Sequence, residues 1–197
     1  MARRSLSKEI QDIHEKIGNR PIVLVGLMGA GKSSIGRRLA EKLEFPFVDA
    51  DHEIELAADK TVAEIFADHG EAYFREGERR VIARLIENGA QVLATGGGAF
   101  INDETRHSIE AHGISVWLKA DLPLLMKRVM KRSDRPLLQA DDPQAVMQRL
   151  MDMRYPIYAK ADVTVESRDV QHTQMVNEVI KVLARWPGWE RLKNAQS

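Results

Sequence analysis

Gly26-Leu27-Met28-Gly29-Ala30-Gly31-Lys32-Ser33 sets two glycines five residues apart and follows the second with a lysine and a hydroxyl. Residues of these types at this spacing suit the binding of a nucleoside triphosphate. Glycines let the backbone curl so that successive N–H groups point inward and cradle anionic oxygens. A helix opening near Lys32 would add its positive N-terminal end. Gly29, Ala30, Gly31 and Ser34 belong to the same cradle, Lys32 can reach β- and γ-phosphate oxygens, and Ser33 can place its hydroxyl on Mg²⁺. A plain glycine turn could carry Lys-Ser without any such purpose, so the flanks decide. Before the loop stands Pro21-Ile22-Val23-Leu24-Val25, an apolar run too short for a helix, which reads as a strand buried on both faces. After it, Ile35, Leu39 and Leu43 recur every fourth residue, the core face of a helix. Both flanks favour the phosphate loop. An Asn-Lys-x-Asp guanine reader is missing, which argues against a GTPase. At 197 residues the chain is also short for a motor or helicase.

The acceptor side is less explicit. Asp49-x-Asp51 closes the second strand: one carboxylate could serve Mg²⁺ through water and the other take a proton from an acceptor hydroxyl, or the pair could be a helix N-cap and a solvated acid. Arg75 sits early in a helix, a poor position for a cation unless it has an anionic partner, and its guanidinium suits a carboxylate. A neighbouring glutamate could equally be that partner. Gly96-Gly97-Gly98 follows the third strand and allows backbone to approach a substrate closely. Arg128, Lys131, Arg132 and Arg135 form a basic stretch that could close over the phosphates as a lid, or simply cap a helix end. Arg154, ahead of Pro156, could join Arg75 in a carboxylate clamp.

These residues are positioned by strands at 21–25, 45–48, 92–94, 114–118 and 163–165, alternating with helices. Thr61-Val62-Ala63-Glu64 has capping-box spacing and predicts a helix ending near Gly70, with another from about Tyr73 to Glu87. Pro123 opens a helix, and one from Pro143 is expected to end near Arg154. The fold class is α/β: a five-stranded parallel sheet flanked by helices on both faces, a P-loop kinase fold with a mobile lid. Residues 1–20 read as an N-terminal extension, a short amphipathic helix on Ile10, Ile13 and Ile17 or a loose tail. Residues 21–185 read as one domain with the lid at about 128–142, and 186–197 as a tail packed down by Trp186 and Trp189.

Lys+Arg and Asp+Glu both count 29, so no whole-molecule charge draws the chain to nucleic acid or an anionic membrane. The chain has no cysteine, hence no disulfide or thiol-bound metal, and its six histidines lack ligand spacing. There is no apolar run of the ~18 residues a bilayer span needs. A cytoplasmic monomer is expected, since no exposed apolar seam calls for an obligate partner.

Taken together, the motifs resemble shikimate kinase. The resemblance runs from about Ile22 to Leu183 and rests on Gly26 to Ser34, Phe47-Val48-Asp49-Ala50-Asp51, Gly70-Glu71 with Phe74-Arg75 and Glu78, Ala94-Thr95-Gly96-Gly97-Gly98, Arg135-Pro136-Leu137-Leu138, and Arg154-x-Pro156-x-Tyr158 with Ala161-Asp162. It implies transfer of the γ-phosphoryl of ATP to the 3-hydroxyl of shikimate, a step toward chorismate and the aromatic amino acids. It further implies that Asp51 binds that hydroxyl and acts as its base, and that Asp49 serves Mg²⁺ through water. Arg75 and Arg154 would grip the carboxylate, while Gly97 donates its N–H to ring hydroxyls. Arg135 would be the lid arginine, Arg128 would stack on adenine, and Gln171 would lie in the adenine loop. Ser34 departs from the family's usual threonine but keeps a hydroxyl. The competing expectations are a P-loop kinase of another polyhydroxy acid such as gluconate, and a non-catalytic nucleotide-binding module. The first should lack the Asp51/Arg75 pairing; the second should have lost Lys32, Asp51 or the lid arginine.

Overall fold

Five short strands carry the molecule: β1 (Ile22–Val25), β2 (Phe47–Asp49), β3 (Val92–Ala94), β4 (Ile114–Lys119) and β5 (Val163–Glu166). They pair in the order β2-β3-β1-β4-β5, all parallel, in a computed structural model that describes residues 5–131 and 141–194. All four residues of β1 are buried, as a central strand covered on both faces requires. At the edge, β5 alternates buried Val163 and Val165 with exposed Thr164 and Glu166. Asp162 fixes the entry to this strand by accepting from both the Ser115 N–H (2.9 Å) and hydroxyl (2.7 Å), which accounts for the Ala161-Asp162 element of the motif set.

The helices are α1 (Leu6–Ile17), α2 (Lys32–Leu43), α3 (Ala50–Ala58), α4 (Val62–Ile86), α5 (Asp103–His112), α6 (Leu122–Val129), α7 (Pro143–Tyr158), α8 (His172–Ala184) and α9 (Gly188–Asn194), with a 3₁₀ turn at Ala99–Ile101. They cover both faces of the sheet. α1 settles the choice left open for the first twenty residues: Ser5 caps a helix whose Ile13 and Ile17 are buried, and it lies against α8. Arg185 at the end of α8 donates to the buried Glu9 at 2.9 Å. Trp186 and Trp189 are buried against each other edge to face at 5.2 Å, with the Trp189 indole N–H on the Leu183 carbonyl.

α4 opens with the expected capping box between Thr61 and Glu64. Its helical path breaks at Gly70 (φ 79°, ψ 177°), where the first of two expected helices was to stop; only glycine adopts that backbone without strain. Two details differ from the sequence expectations. Asp49-Ala50-Asp51 is not simply a strand end, because α3 begins inside it. α7 does not end near Arg154 but continues through Pro156 to Tyr158. Proline in a last turn forfeits a single backbone bond, and the buried Tyr158 together with the Tyr155 hydroxyl on the Ala120 carbonyl keeps that turn in place.

Candidate active site

Three loops leave the sheet at the C-terminal ends of β1, β3 and β5 and border one cleft of about 470 Å³. Such crevices at strand ends are where open α/β sheets take ligands. Gly29, Gly31, Lys32, Ser33, Ser34, Asp51, Gly97 and Arg128 all line it. Ala30 is buried behind the loop, and Gln171 sits at the N-cap of α8 between two lining residues, Val170 and His172, without lining the cleft itself. Arg135 lies outside the described residues, as does most of the expected lid.

On the donor side, α2 starts one residue after Gly31 and aims its first N–H groups into the cleft. Lys32 folds back, donating to the Gly26 (2.8 Å) and Leu27 (3.0 Å) carbonyls. Arg128, on the last turn of α6, donates to the Gly29 and Ala30 carbonyls, the Ser167 hydroxyl (2.9 Å) and the Arg168 carbonyl (2.9 Å). It thereby ties the phosphate loop to the segment that follows β5. Burial pulls its pKa below the ordinary value, against Asp169 and Asp121. Ser33 donates to Asp49 at 2.6 Å, and the other oxygen of Asp49 caps α3 at the Asp51 N–H. Asp49 is thus the N-cap of α3 and also accepts from the Ser33 hydroxyl.

The acceptor side is made by side chains. Asp51, in the first turn of α3, faces Gly96: a Cβ there would stand 2.8 Å from the Asp51 carboxylate and 2.7 Å from Glu78. A Cβ on Gly98 would stand 2.5 Å from the Arg75 guanidinium. A side chain at either outer glycine of the triplet would thus displace the carboxylates or the guanidinium that now lie against it, a reason the sequence did not disclose. Arg154 reaches the same turn from α7 and donates to the Gly97 carbonyl at 3.2 Å. Arg75 and Arg154 therefore bracket one turn from opposite helices.

Glu78 is the functional residue to which sequence reasoning assigned no role. It accepts from Arg75 at 2.7 Å, with Glu71 taking a second, more exposed contact at 3.2 Å. Burial lifts the Glu78 carboxyl above its ordinary value against the pull of Arg75, and Asp51 adds to the lift. For Arg75 the balance runs the other way: burial opposes its charge, but Glu78 and Glu71 outweigh it and raise the pKa. The difference follows from exposure, 31% for the arginine side chain against 3% for the glutamate. The signal available in the sequence was the i, i+3 spacing, which alone describes any surface pair.

A family model described as shikimate kinase matches residues 28–184. A shikimate kinase of Bradyrhizobium diazoefficiens is 57% identical over 172 residues, spanning 87% of this chain and 83% of the relative. One from Rhodopseudomonas palustris is 52% identical, spanning 90% and 87%. Among solved structures, a shikimate kinase of Acinetobacter baumannii in complex with shikimate superposes with a TM-score of 0.81 at 36% identity, covering 86% of this chain and 96% of that one.

Proposed function

Since the chain belongs to the shikimate kinase family and catalyses ATP-dependent phosphorylation of shikimate, we propose how its own residues divide that reaction. The γ-phosphoryl moves from ATP to the 3-hydroxyl, the hydroxyl proton passes to Asp51, and ADP leaves. Backbone N–H groups of Gly29 to Ser34 hold the β- and γ-phosphates, with Lys32 leaving the Gly26 and Leu27 carbonyls to reach them. Arg75 and Arg154 take the acceptor's carboxylate, and the Gly97 N–H takes a ring hydroxyl. Arg128 and Gln171 stand toward the adenine, and Arg135 supplies charge to the transferring group from the lid.

Ser33 and Asp49 fit Mg²⁺, which binds through one or two oxygen side chains plus waters and phosphates rather than a full protein cage. Bound there, it would offset the charge that develops on the phosphates. The observation that carries the assignment is the bracketing of Gly97-Gly98 by Arg75 and Arg154 within reach of Asp51. That arrangement serves an acceptor bearing both a carboxylate and a hydroxyl. We place the reaction in the cytoplasm, where ATP is supplied, and in a monomer, because one chain furnishes every group named. A coupled assay of ADP release across hydroxy acids tests this: shikimate should be turned over and gluconate should not, and the reverse result would overturn it.

A further inference from the structure

The Gly97 carbonyl accepts from two side chains at once, Arg154 Nη1 at 3.2 Å and the Tyr158 hydroxyl. The two donors differ in freedom. Arg154 is half-buried, and under the acceptor assignment above it turns its guanidinium to the substrate's carboxylate. Tyr158 is 1% exposed, and its ring is packed among Phe100, Trp117 and Tyr155 with centroids 6.4, 5.9 and 6.3 Å away. Burial pushes its phenol well above the ordinary value, so the hydroxyl remains a protonated donor through the neutral range.

The same cluster reaches the donor loop. Trp117 Cδ1 lies 3.4 Å from where a Gly26 side chain would begin, and the Met28 nitrogen lies 3.5 Å from the corresponding point on Gly97. Gly97 is thus wedged between the phosphate loop and Arg154. A carbonyl oxygen has two lone pairs and can hold both donors, and a part-buried acceptor that loses its last protein donor still bears part of the desolvation cost.

We propose that Tyr158 is a positioning residue whose hydroxyl holds the Gly97 peptide while Arg154 leaves for the substrate, keeping the Gly97 N–H aimed at the acceptor. This rests on the assignment of Arg154 and Gly97 to the acceptor. The decisive variant is Tyr158→Phe, which keeps the ring and removes the donor. The KM for shikimate should rise about tenfold, the equivalent of ~1.4 kcal/mol. The KM for ATP and kcat should stay within about threefold of the parent. Phe100→Leu trims the packing on the same ring but spares the hydroxyl, so it should lower Tm and leave the shikimate KM alone. An unchanged shikimate KM in Tyr158→Phe overturns the proposal, as does a rise that Phe100→Leu reproduces. Arg154→Lys separates the two possible failures. If it too leaves the shikimate KM unchanged, the acceptor assignment is wrong; if it raises that KM while Tyr158→Phe does not, only the positioning role falls.

Discussion

The two halves of the site are built from different materials. The donor half is backbone: a loop and a helix start anchored on β1 and α2, whose Leu24, Val25, Ile35 and Leu39 belong to the main core. The acceptor half is mostly side chain: Asp51, Arg75 and Glu78 project from α3 and α4, which share a small cluster of Ile54, Ile65 and Phe74 with Val62, Phe66 and Val81 around it, and which send Ala50, Ile82, Leu85 and Ile86 into the main core. A phosphate needs many weakly directional donors, which a curled backbone supplies and a large core holds rigid. A small acid with a carboxylate and several hydroxyls needs charged groups at specific distances, which side chains provide, with the Gly97 backbone beside them. The cost is that Arg75 stands beside a small satellite core, on a helix whose path breaks at Gly70.

The strongest way to break this contrast is to attack that small core. Phe74 is buried, stacks obliquely on Phe66 at 4.7 Å, and underlies the Arg75 guanidinium. Phe74→Ala should cost about 3–5 kcal/mol, the usual range for such a buried truncation. Amide hydrogen exchange should accelerate in α3 and α4 well before β1 and α2, and ATP binding should survive where shikimate binding weakens. Uniform acceleration across both halves would show that they unfold as one unit and remove the distinction.

Next in size is the chemistry itself. Asp51→Asn preserves shape at the mouth of the acceptor half and removes the base. Turnover should fall by at least ~100-fold, the lower range for a lost general base. The backbone N–H groups of the phosphate loop and the start of α2 are retained, so ATP affinity by calorimetry should be nearly unchanged. Near-normal turnover would exclude Asp51 as the base, and a parallel loss of ATP binding would show that the halves are not separable.

The same contrast governs what could be read from the chain. The donor half was legible because its signal is local: glycine spacing, Lys-Ser, one strand and one amphipathic stripe all lie between Ile22 and Leu43. The helix break at Gly70 and the capping box followed from similarly local cues, whereas the strand order β2-β3-β1-β4-β5 is tertiary and was not read. α3 was missed because its buried side is just Ala50 and Ile54, too little periodicity to stand out beside a strand end. Pro156 was read as a terminator because proline usually is one, and the packing of Tyr158 that overrides it is tertiary. Arg75 was singled out for an anionic partner, and it has one within the chain, Glu78, whose burial depends on residues distant in sequence. The glycine triplet was read as letting backbone approach a substrate closely; that Asp51, Glu78 and Arg75 lie against Gly96 and Gly98 is a tertiary fact no local cue carried.

The finest test concerns Glu78, whose burial in the acceptor half leaves a pH signature. Its carboxyl is raised in the folded state by burial, then held back by Arg75. The sign follows from proton counting. Between the ordinary carboxyl value near 4.5 and the raised folded value, the folded chain binds more protons at this site than the unfolded chain. Stability contributed by this group is therefore complete below that ordinary value and declines as pH rises toward the folded one. A single group gives a slope of no more than about 1.4 kcal/mol per pH unit. Glu78→Gln removes the titration, so the stability of the parent relative to the variant should fall with rising pH just above 4.5 and then level off. Urea unfolding of both proteins from about pH 4 to about pH 7 measures the difference. A flat difference would mean that Arg75 fully compensates the burial. A difference that grows with pH would mean that the ion pair outweighs it, and the acceptor half would then be held together by charge as well as by its small core.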